Sequence, residues 1–352
     1  YKRQAYGTGS NAPKAENVAI GKDATISYSG GVGMPSTGDI VIGNKAKTNN
    51  YIDQGGGIAI GSNSFVEDMA GGLERSFDFN QAGYNSIFGI PYGLPKHPDK
   101  MVTGVAIGQN TYARSGSVML GTHNYKGALG DVTVDSSGVR SHNLLPFATA
   151  LGANSYSHGL FSSVTGAYSI ISSNYDGNNS SVASKNFGAT ITGSLNSIES
   201  ATSSSNYSGV ANSIVGTANR TANSNGSLIF GAGNEITNSI DSLSGTPTDG
   251  GASAKDLADT LRAAVKSSKS GGATLAIGGG NKADYTQRTS IIGVNNTVTG
   301  TSGSLSTFNS ITGYNNIATN INHVSVIGSK NNVTNTNGAV VFGDKRTLTG
   351  AD

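Results

Sequence analysis

The sequence predicts an all-β parallel solenoid built from short coils, and three observations predict it. An apolar triplet ending in glycine recurs 17 times between residues 5 and 343. The shortest spacings between these glycines are 13 to 15 residues, which suits a short strand, a turn and a second short strand in each coil. Seven consecutive copies carry asparagine three residues after the glycine. A period this short excludes helix pairs and propeller blades.

The glycine that ends each triplet is predicted to occupy a corner of the coil. Glycine tolerates a positive φ angle and allows another backbone to approach closely. The asparagines that follow at a fixed distance are predicted to stack into a ladder at the strand spacing of about 4.8 Å. A structural role in the repeat is therefore assigned to Gly21, Gly43, Gly61, Gly108, Gly121, Gly152, Gly216, Gly231, Gly278, Gly293, Gly313, Gly328 and Gly343.

Both faces of the triplet strand are predicted to be shielded from water. The residue two before glycine is Ala, Val, Ile or Met in all 17 copies, and the residue immediately before glycine is apolar in 14 of them. Neighbouring residues on a strand point to opposite faces, whereas a thin coil has only one interior. The pattern therefore predicts a homo-oligomer in which another copy covers the second face.

Three insertions interrupt the repeat, at about residues 65–103, 122–148 and 232–275. In the third, Ala254, Leu257, Leu261 and Val265 recur near helical spacing, which predicts a short amphipathic helix at about 253–267. A helix this short is marginal alone, so it is expected to dock on the roll or on a neighbouring subunit.

Composition argues against several functional classes. A formal net charge of +2 gives no reason to expect a nucleic-acid partner, and the chain has no cysteine. Its five histidines are scattered outside any metal-ligand spacing, and no nucleophile elbow or Walker sequence is present. The acidic residues between Glu67 and Asp78 are read as a solvated loop. We therefore predict no enzymatic activity and no catalytic, cofactor-binding or metal-binding residue.

The segments AIGKDA, AIGSNS, AIGQNT and ALGANS resemble the YadA-like heads of trimeric autotransporter adhesins. The resemblance covers residues 5–343 and predicts a head domain at residues 1–343. It implies a left-handed parallel β-roll, a homotrimer, and display on the surface of a Gram-negative bacterium. The segment GDKRTLTGAD at 343–352, with Arg346 ahead of Leu348 and Thr349, is similar to the start of the neck of these proteins, so a neck is predicted to begin at 344–352. A stalk and an outer-membrane anchor would then lie outside this sequence.

The resemblance further implies an adhesin that binds a host cell-surface receptor of the carcinoembryonic-antigen-related adhesion family. Extracellular matrix such as collagen or fibronectin is the alternative partner, and a trimeric β-helix enzyme acting on polysaccharide is a weaker alternative. Apolar loop residues on a rigid scaffold are the usual place for recognition. The predicted partner-binding residues, which could instead pack on the roll or between subunits, are Phe77, Phe79, Tyr84, Tyr92, Leu144, Leu145 and Phe147.

Overall fold

The structure, a computed structural model, is all-β with a single helix in the part of the chain that it describes. Two compact units are formed, by residues 1–165 with 247–261 and by residues 166–246 with 262–352, here the N-terminal and C-terminal units. The described residues are 4–13, 16–29, 38–51, 56–67, 104–114, 116–123, 147–173, 185–200, 208–240, 243, 254–267 and 273–351.

In the N-terminal unit, the triplets form the strands of a first parallel sheet, one strand per coil. These strands are β1 (Gln4–Tyr6), β2 (Val18–Ile20), β4 (Ile40–Ile42), β6 (Ile58–Ile60), β8 (Val105–Ile107), β10 (Val118–Thr122), β11 (Thr149–Ala153) and β13 (Ser163–Thr165). A second parallel sheet contains β3 (Thr25–Ser29), β5 (Lys47–Tyr51), β7 (Phe65–Glu67) and β9 (Tyr112–Arg114). The short strand β12 (Tyr156–Ser157) also belongs to this unit.

The C-terminal unit repeats this arrangement. Its first sheet contains β15 (Thr190–Ser194), β17 (Ser213–Thr217), β19 (Leu228–Ala232), β21 (Leu275–Gly279), β24 (Ser290–Val294), β27 (Ser310–Tyr314), β29 (Ser325–Ser329) and β31 (Val340–Phe342). Its second sheet contains β14 (Ile170–Ser173), β16 (Ser197–Ser200), β18 (Arg220–Ala222), β20 (Glu235–Thr237), β22 (Lys282–Asp284), β25 (Thr297–Thr299), β28 (Ile317–Asn322), β30 (Asn332–Asn337) and β32 (Thr347–Thr349). Two short strands, β23 (Thr286–Gln287) and β26 (Ser306–Thr307), continue this sheet from the end of β28.

Strand pairing confirms the predicted parallel repeat. Neighbouring coils are aligned on the repeat glycine, so that Gly216 pairs with Gly231 and Gly231 pairs with Gly278 although 47 residues separate the last two. The triplet ending at Gly89 lies outside the described residues, and β6 pairs directly with β8. The first sheets therefore account for 16 of the 17 triplets.

The insertions leave the coils on either side of them in register. β7 occupies the first residues of the predicted 65–103 insertion, and β20 lies within the predicted 232–275 insertion. The prediction of a solvated acidic loop is wrong for Glu67, which is buried on β7 and accepts a hydrogen bond from the Tyr112 hydroxyl. The helix predicted at 253–267 is α1 (Ala254–Ser267), and its Ala264 is buried. The strands that flank each insertion therefore pair directly with one another, as β6 does with β8, β10 with β11 and β19 with β21.

Candidate self-association surface

The middle residue of each triplet strand points into the coil and forms the core. Ala19, Val41 and Ala59 are fully buried in the N-terminal unit, as are Ile214 and Ile291 in the C-terminal unit. Small or branched apolar side chains fit an interior enclosed by two closely spaced strands. The first of the two apolar positions identified in the sequence is thus covered by the chain itself.

The residues on either side of that middle position point outwards and form a continuous row along each first sheet. We call this row the apolar stripe: the side chains one and three positions before each repeat glycine. In the N-terminal unit it includes Ile20, Ile107 and Leu151, all exposed. In the C-terminal unit, Phe230 is 57% exposed and Ile292 is 40% exposed. Large apolar side chains in such a row are the surface feature that most often marks an interface.

Repeat glycines form the corner at which each triplet strand ends. Their φ angles lie between 108° and 144° at the 13 assigned positions, a region that favours glycine. A Cβ atom at Gly43 would overlap the carbonyl of Gly61, and one at Gly313 would overlap the carbonyl of Gly328. Glycine is therefore required both by the backbone angle and by the close approach of the next coil.

The predicted asparagine ladder is present in the C-terminal unit. Each side-chain oxygen before the last rung accepts two hydrogen bonds from the next asparagine: Asn281 Oδ1 accepts from the backbone N–H of Asn296 at 3.0 Å and from its Nδ2 at 3.0 Å. Each Nδ2 also donates to a repeat-glycine carbonyl in the following coil, as Asn296 does to Gly313 at 2.8 Å. The buried rungs of the ladder are Asn196, Asn219, Asn234, Asn281, Asn296, Asn316 and Asn331.

A second corner column, two residues after the repeat glycine, was missed in the sequence. Its φ angles are near +50° to +60° for side chains as different as Asp23, Lys45, His123 and Leu195. Glycine or asparagine would suit this left-handed conformation best, and Asn63 is one of several asparagines there. Enrichment of asparagine and glycine at this position was the available signal, but it is diluted by the unrelated residues.

A charged network crosses the outer face of the second sheet in the C-terminal unit. Arg220 donates two hydrogen bonds to Glu199, at 3.0 and 2.8 Å, and one to Glu235 at 2.7 Å. The hydrogen bond from Arg220 is the main cause that lowers the pKa of Glu199, and the two carboxylates raise the pKa of Arg220. Lys282 approaches Glu235 at 3.8 Å. All four groups are partly exposed, so the network contributes modestly to stability.

Of the predicted partner-binding residues, only Phe147 falls within the described part of the chain. Phe77, Phe79, Tyr84, Tyr92, Leu144 and Leu145 lie outside it. The Phe147 ring stacks on Phe161, with ring centroids 5.5 Å apart and planes 11° from parallel. On its other side the ring lies against Gly116, where a Cβ atom would overlap it. Half-buried Phe147 thus packs against the roll, which is the alternative role considered for it.

The histidines within the described residues serve different local contacts. His123 Nε2 lies 2.9 Å from Asn110 Nδ2 on an exposed corner, His323 stacks on Phe308, and His158 is buried. A search of the described ranges finds no group of three or more His, Cys, Asp or Glu side chains placed to hold a metal ion. Over the same ranges, no helix has the length and apolar character needed to span a membrane.

Comparison with known proteins adds no family assignment. Neither the protein-family models nor the curated protein sequences compared with this chain give a match.

Proposed function

We propose that the chain is the head of a trimeric bacterial surface adhesin. In this proposal three left-handed rolls meet along the apolar stripe, and the assembly is displayed on the outer membrane, where it binds a protein on host cells without chemical turnover. The observation that carries the proposal is the stripe itself: large apolar side chains, Phe230 and Ile292 among them, face outwards in successive coils. Leaving such a surface in water is costly, at about 25 cal/mol per Å² of apolar area.

The repeat spacing favours another copy of the chain as the partner that covers this surface. A partner must present apolar groups at the same interval as the coils, about 4.8 Å, over many coils. A second and third copy carry that interval by construction. Closed cyclic symmetry is the usual form of a homo-oligomer. The number of three copies comes from the resemblance in the repeat motif, and three copies around one axis would cover every stripe.

Three copies would also explain how weak single contacts give firm attachment. Identical sites on one trimer raise the effective concentration for the second and third contacts, which can increase overall affinity by about 10²- to 10⁴-fold. Host receptors of the carcinoembryonic-antigen-related adhesion type are the proposed partners, and collagen or fibronectin is the alternative. These partner classes come from the resemblance in the repeat motif.

A matched pair of substitutions tests the assembly. Ile292 lies on the apolar stripe and is 40% exposed, whereas Ile317 lies on the second sheet and is 48% exposed. Ile292→Asp should convert a trimer into monomers in sedimentation velocity, because a carboxylate cannot be buried unpaired. Ile317→Asp should remain trimeric. A wild-type chain that is monomeric at micromolar concentration would contradict the proposal.

Binding is then measured with the same proteins on immobilised receptor ectodomains, collagen and fibronectin. We expect the Ile317→Asp trimer to bind one of these surfaces at least about 100-fold more tightly than the Ile292→Asp monomer. Equal binding by monomer and trimer would contradict the multivalent mechanism. Replacing residues 68–103 with a short turn tests Phe77, Phe79, Tyr84 and Tyr92 together, and unchanged affinity in an intact trimer would dismiss them.

A further inference from the structure

A uniform apolar stripe leaves the register between two copies poorly specified. In the N-terminal unit, five successive strands of the first sheet, β2, β4, β6, β8 and β10, present two branched aliphatic side chains each. Sliding one copy by a single coil, about 4.8 Å, would replace Ile20 by Ile42 or Ile42 by Ile60 at the contact. Repetition that makes the stripe self-complementary therefore makes it prone to slip, as flat repetitive strands are.

The stripe of the C-terminal unit is not uniform. Two of its coils present hydroxyl groups at both outward positions, Thr190 with Thr192 on β15, and Ser310 with Thr312 on β27. Between these coils, β19 presents Leu228 with Phe230, and β21 presents Leu275 with Ile277. Along this unit, the residue immediately before the repeat glycine reads Thr192, Val215, Phe230, Ile277, Ile292, Thr312, Ile327 and Phe342.

We propose that the hydroxyl coils β15 and β27 fix the register in which copies of this chain associate. This inference rests on the proposed self-association and identifies Thr192 and Thr312 as its specificity-determining residues. In register, each threonine faces the same threonine of another copy, and hydroxyl groups can donate to and accept from one another. A slip by one coil places Thr192 of one copy opposite Val215 of the other, and it places Thr312 opposite Ile292 or Ile327. A buried hydroxyl without a partner is unfavourable, so slipped arrangements are selected against.

The chemistry of the neighbouring coil supports this division of roles. Thr190 donates a hydrogen bond to Ser213 Oγ at 3.0 Å within the same chain, so hydroxyl groups on adjacent coils already pair across the strand spacing. Polar groups at defined positions of a repetitive apolar interface are the best-attested way of fixing register, at some cost in stability. On β17, β24 and β29 only the position three before the glycine is serine, whereas β15 and β27 carry hydroxyl groups at both outward positions. The hydroxyl coils would thus contribute specificity, while Phe230, Ile277 and Ile292 contribute the larger part of the apolar burial.

The absence of cysteine in the native chain allows a direct test by disulfide formation. One tagged chain carries Val215→Cys and a second, differently tagged chain carries Ile277→Cys, on strands two coils apart. In register, the two cysteines are offset by about 9.6 Å, beyond the roughly 7 Å limit for a disulfide, so only disulfides between identical chains should form. A slip by one coil halves this offset and permits a mixed disulfide.

The two chains are mixed, refolded and oxidised in three backgrounds: wild type, Thr192→Val with Thr312→Val, and Thr297→Val. Threonine and valine have the same shape, and Thr297 on β25 lies outside the stripe, so the third background controls for the substitution itself. Removing the two hydroxyl groups should raise the mixed-disulfide fraction about tenfold while trimers persist, and the Thr297→Val control should match wild type. An unchanged mixed fraction in stable trimers overturns this inference alone. A wild-type chain that stays monomeric in sedimentation overturns the proposed assembly as well.

Discussion

The two units close the same corner of the coil in different ways. In the first four coils of the N-terminal unit, the third residue after the repeat glycine is Ala or Ser, and its backbone N–H returns to the glycine carbonyl of its own coil, as from Ala24 to Gly21 at 3.3 Å. In seven consecutive coils of the C-terminal unit that position is asparagine, and from Asn219 to Asn331 its N–H donates instead to the side chain of the preceding asparagine, as from Asn296 to Asn281. The glycine carbonyl then receives the Nδ2 of another coil. One unit thus completes the corner within a coil, and the other completes it between coils.

The early triplet strands are also shorter, although β10 and β11 of the N-terminal unit already have five residues and include the repeat glycine. The early triplet strands β2, β4, β6 and β8 have three residues and end before the glycine. Strands β15 to β29 of the first sheet have five residues and run through it. Asparagine therefore does more than tolerate a turn: it joins the corner of one coil to the corners on either side. The difference shows that the same apolar triplet can be followed by a corner that is hydrogen-bonded within its own coil or by one that is hydrogen-bonded to neighbouring coils.

Substituting a repeat glycine should have the largest effect, and it should be equally large in both units. Gly43→Ala and Gly313→Ala each place a methyl group on a neighbouring carbonyl at a φ of +138°. We expect a loss of at least about 3 kcal/mol in the free energy of unfolding, measured by urea denaturation. Gly280→Ala is the control, because a Cβ atom there has nothing within 4 Å and φ is +62°. It should cost about 1 kcal/mol.

Removing one asparagine of the ladder should destabilise the protein more than the matching substitution in the N-terminal unit. Asn296→Ala deprives the Gly313 carbonyl and both donors of Asn316 of their partner, and we expect a loss of roughly 3 kcal/mol. In the N-terminal unit, Ser64→Ala removes only one partly buried hydrogen bond, to Gly61 at 3.0 Å, and should cost less than about 1 kcal/mol. Hydrogen exchange should show faster opening of the coils next to Asn296. Equal losses for the two substitutions would remove the distinction between the units.

A substitution in the second corner column should stabilise the protein. Ala218 has a φ of +55°, so Ala218→Gly should relieve about 1 kcal/mol of strain and raise the Tm. The same change on an extended strand, Ala222→Gly, should lower stability by about 0.5 to 1 kcal/mol. Effects of the same sign for both variants would show that the corner angle is not the cause.

The charged network should give the smallest effect, visible through pH. The folded-state pKa of Glu199 is lowered, so the ionised carboxylate contributes to the free energy of unfolding. This contribution is fully present above the unfolded-state pKa and disappears as the pH falls through the folded-state pKa. We expect less than about 1 kcal/mol, since the partners are partly exposed. Glu199→Gln should reduce the acid-dependent loss of stability between about pH 5 and pH 3, measured by urea denaturation at a series of pH values.

Sequence reasoning located the elements whose chemistry is repeated. The buried middle residue, the glycine corner and the asparagine rungs each recur at one position of the repeat. At each of these positions only a few residue types meet the structural requirement, so the requirement can be read from the sequence. The second corner column was missed because its constraint is a backbone angle, which Lys45, Leu195 and Asn295 satisfy at different cost. The helix was found by its periodicity, which spans about four turns.

The candidate surfaces were predictable to different degrees. Alternation on the triplet strand was sufficient to predict that a second face needs cover, and the exposed Phe230 and Ile292 lie on that face. Residues in the insertions follow no repeat, so their neighbours cannot be inferred from spacing. Phe147 illustrates the limit: its stacking on Phe161 depends on the coil to which the chain returns at the end of the predicted 122–148 insertion.

The amide ladder has a mechanical consequence. Each rung from Asn219 to Asn331 is gripped by the coils on both sides, and the final acceptor, Asn331 Oδ1, receives the backbone N–H of Arg346 at 2.9 Å. A coil in the middle of this unit cannot unfold without breaking its hydrogen bonds to both neighbouring coils, whereas a terminal coil breaks those to one neighbour. Under mechanical force, the unit should therefore unfold from one end, one coil after another.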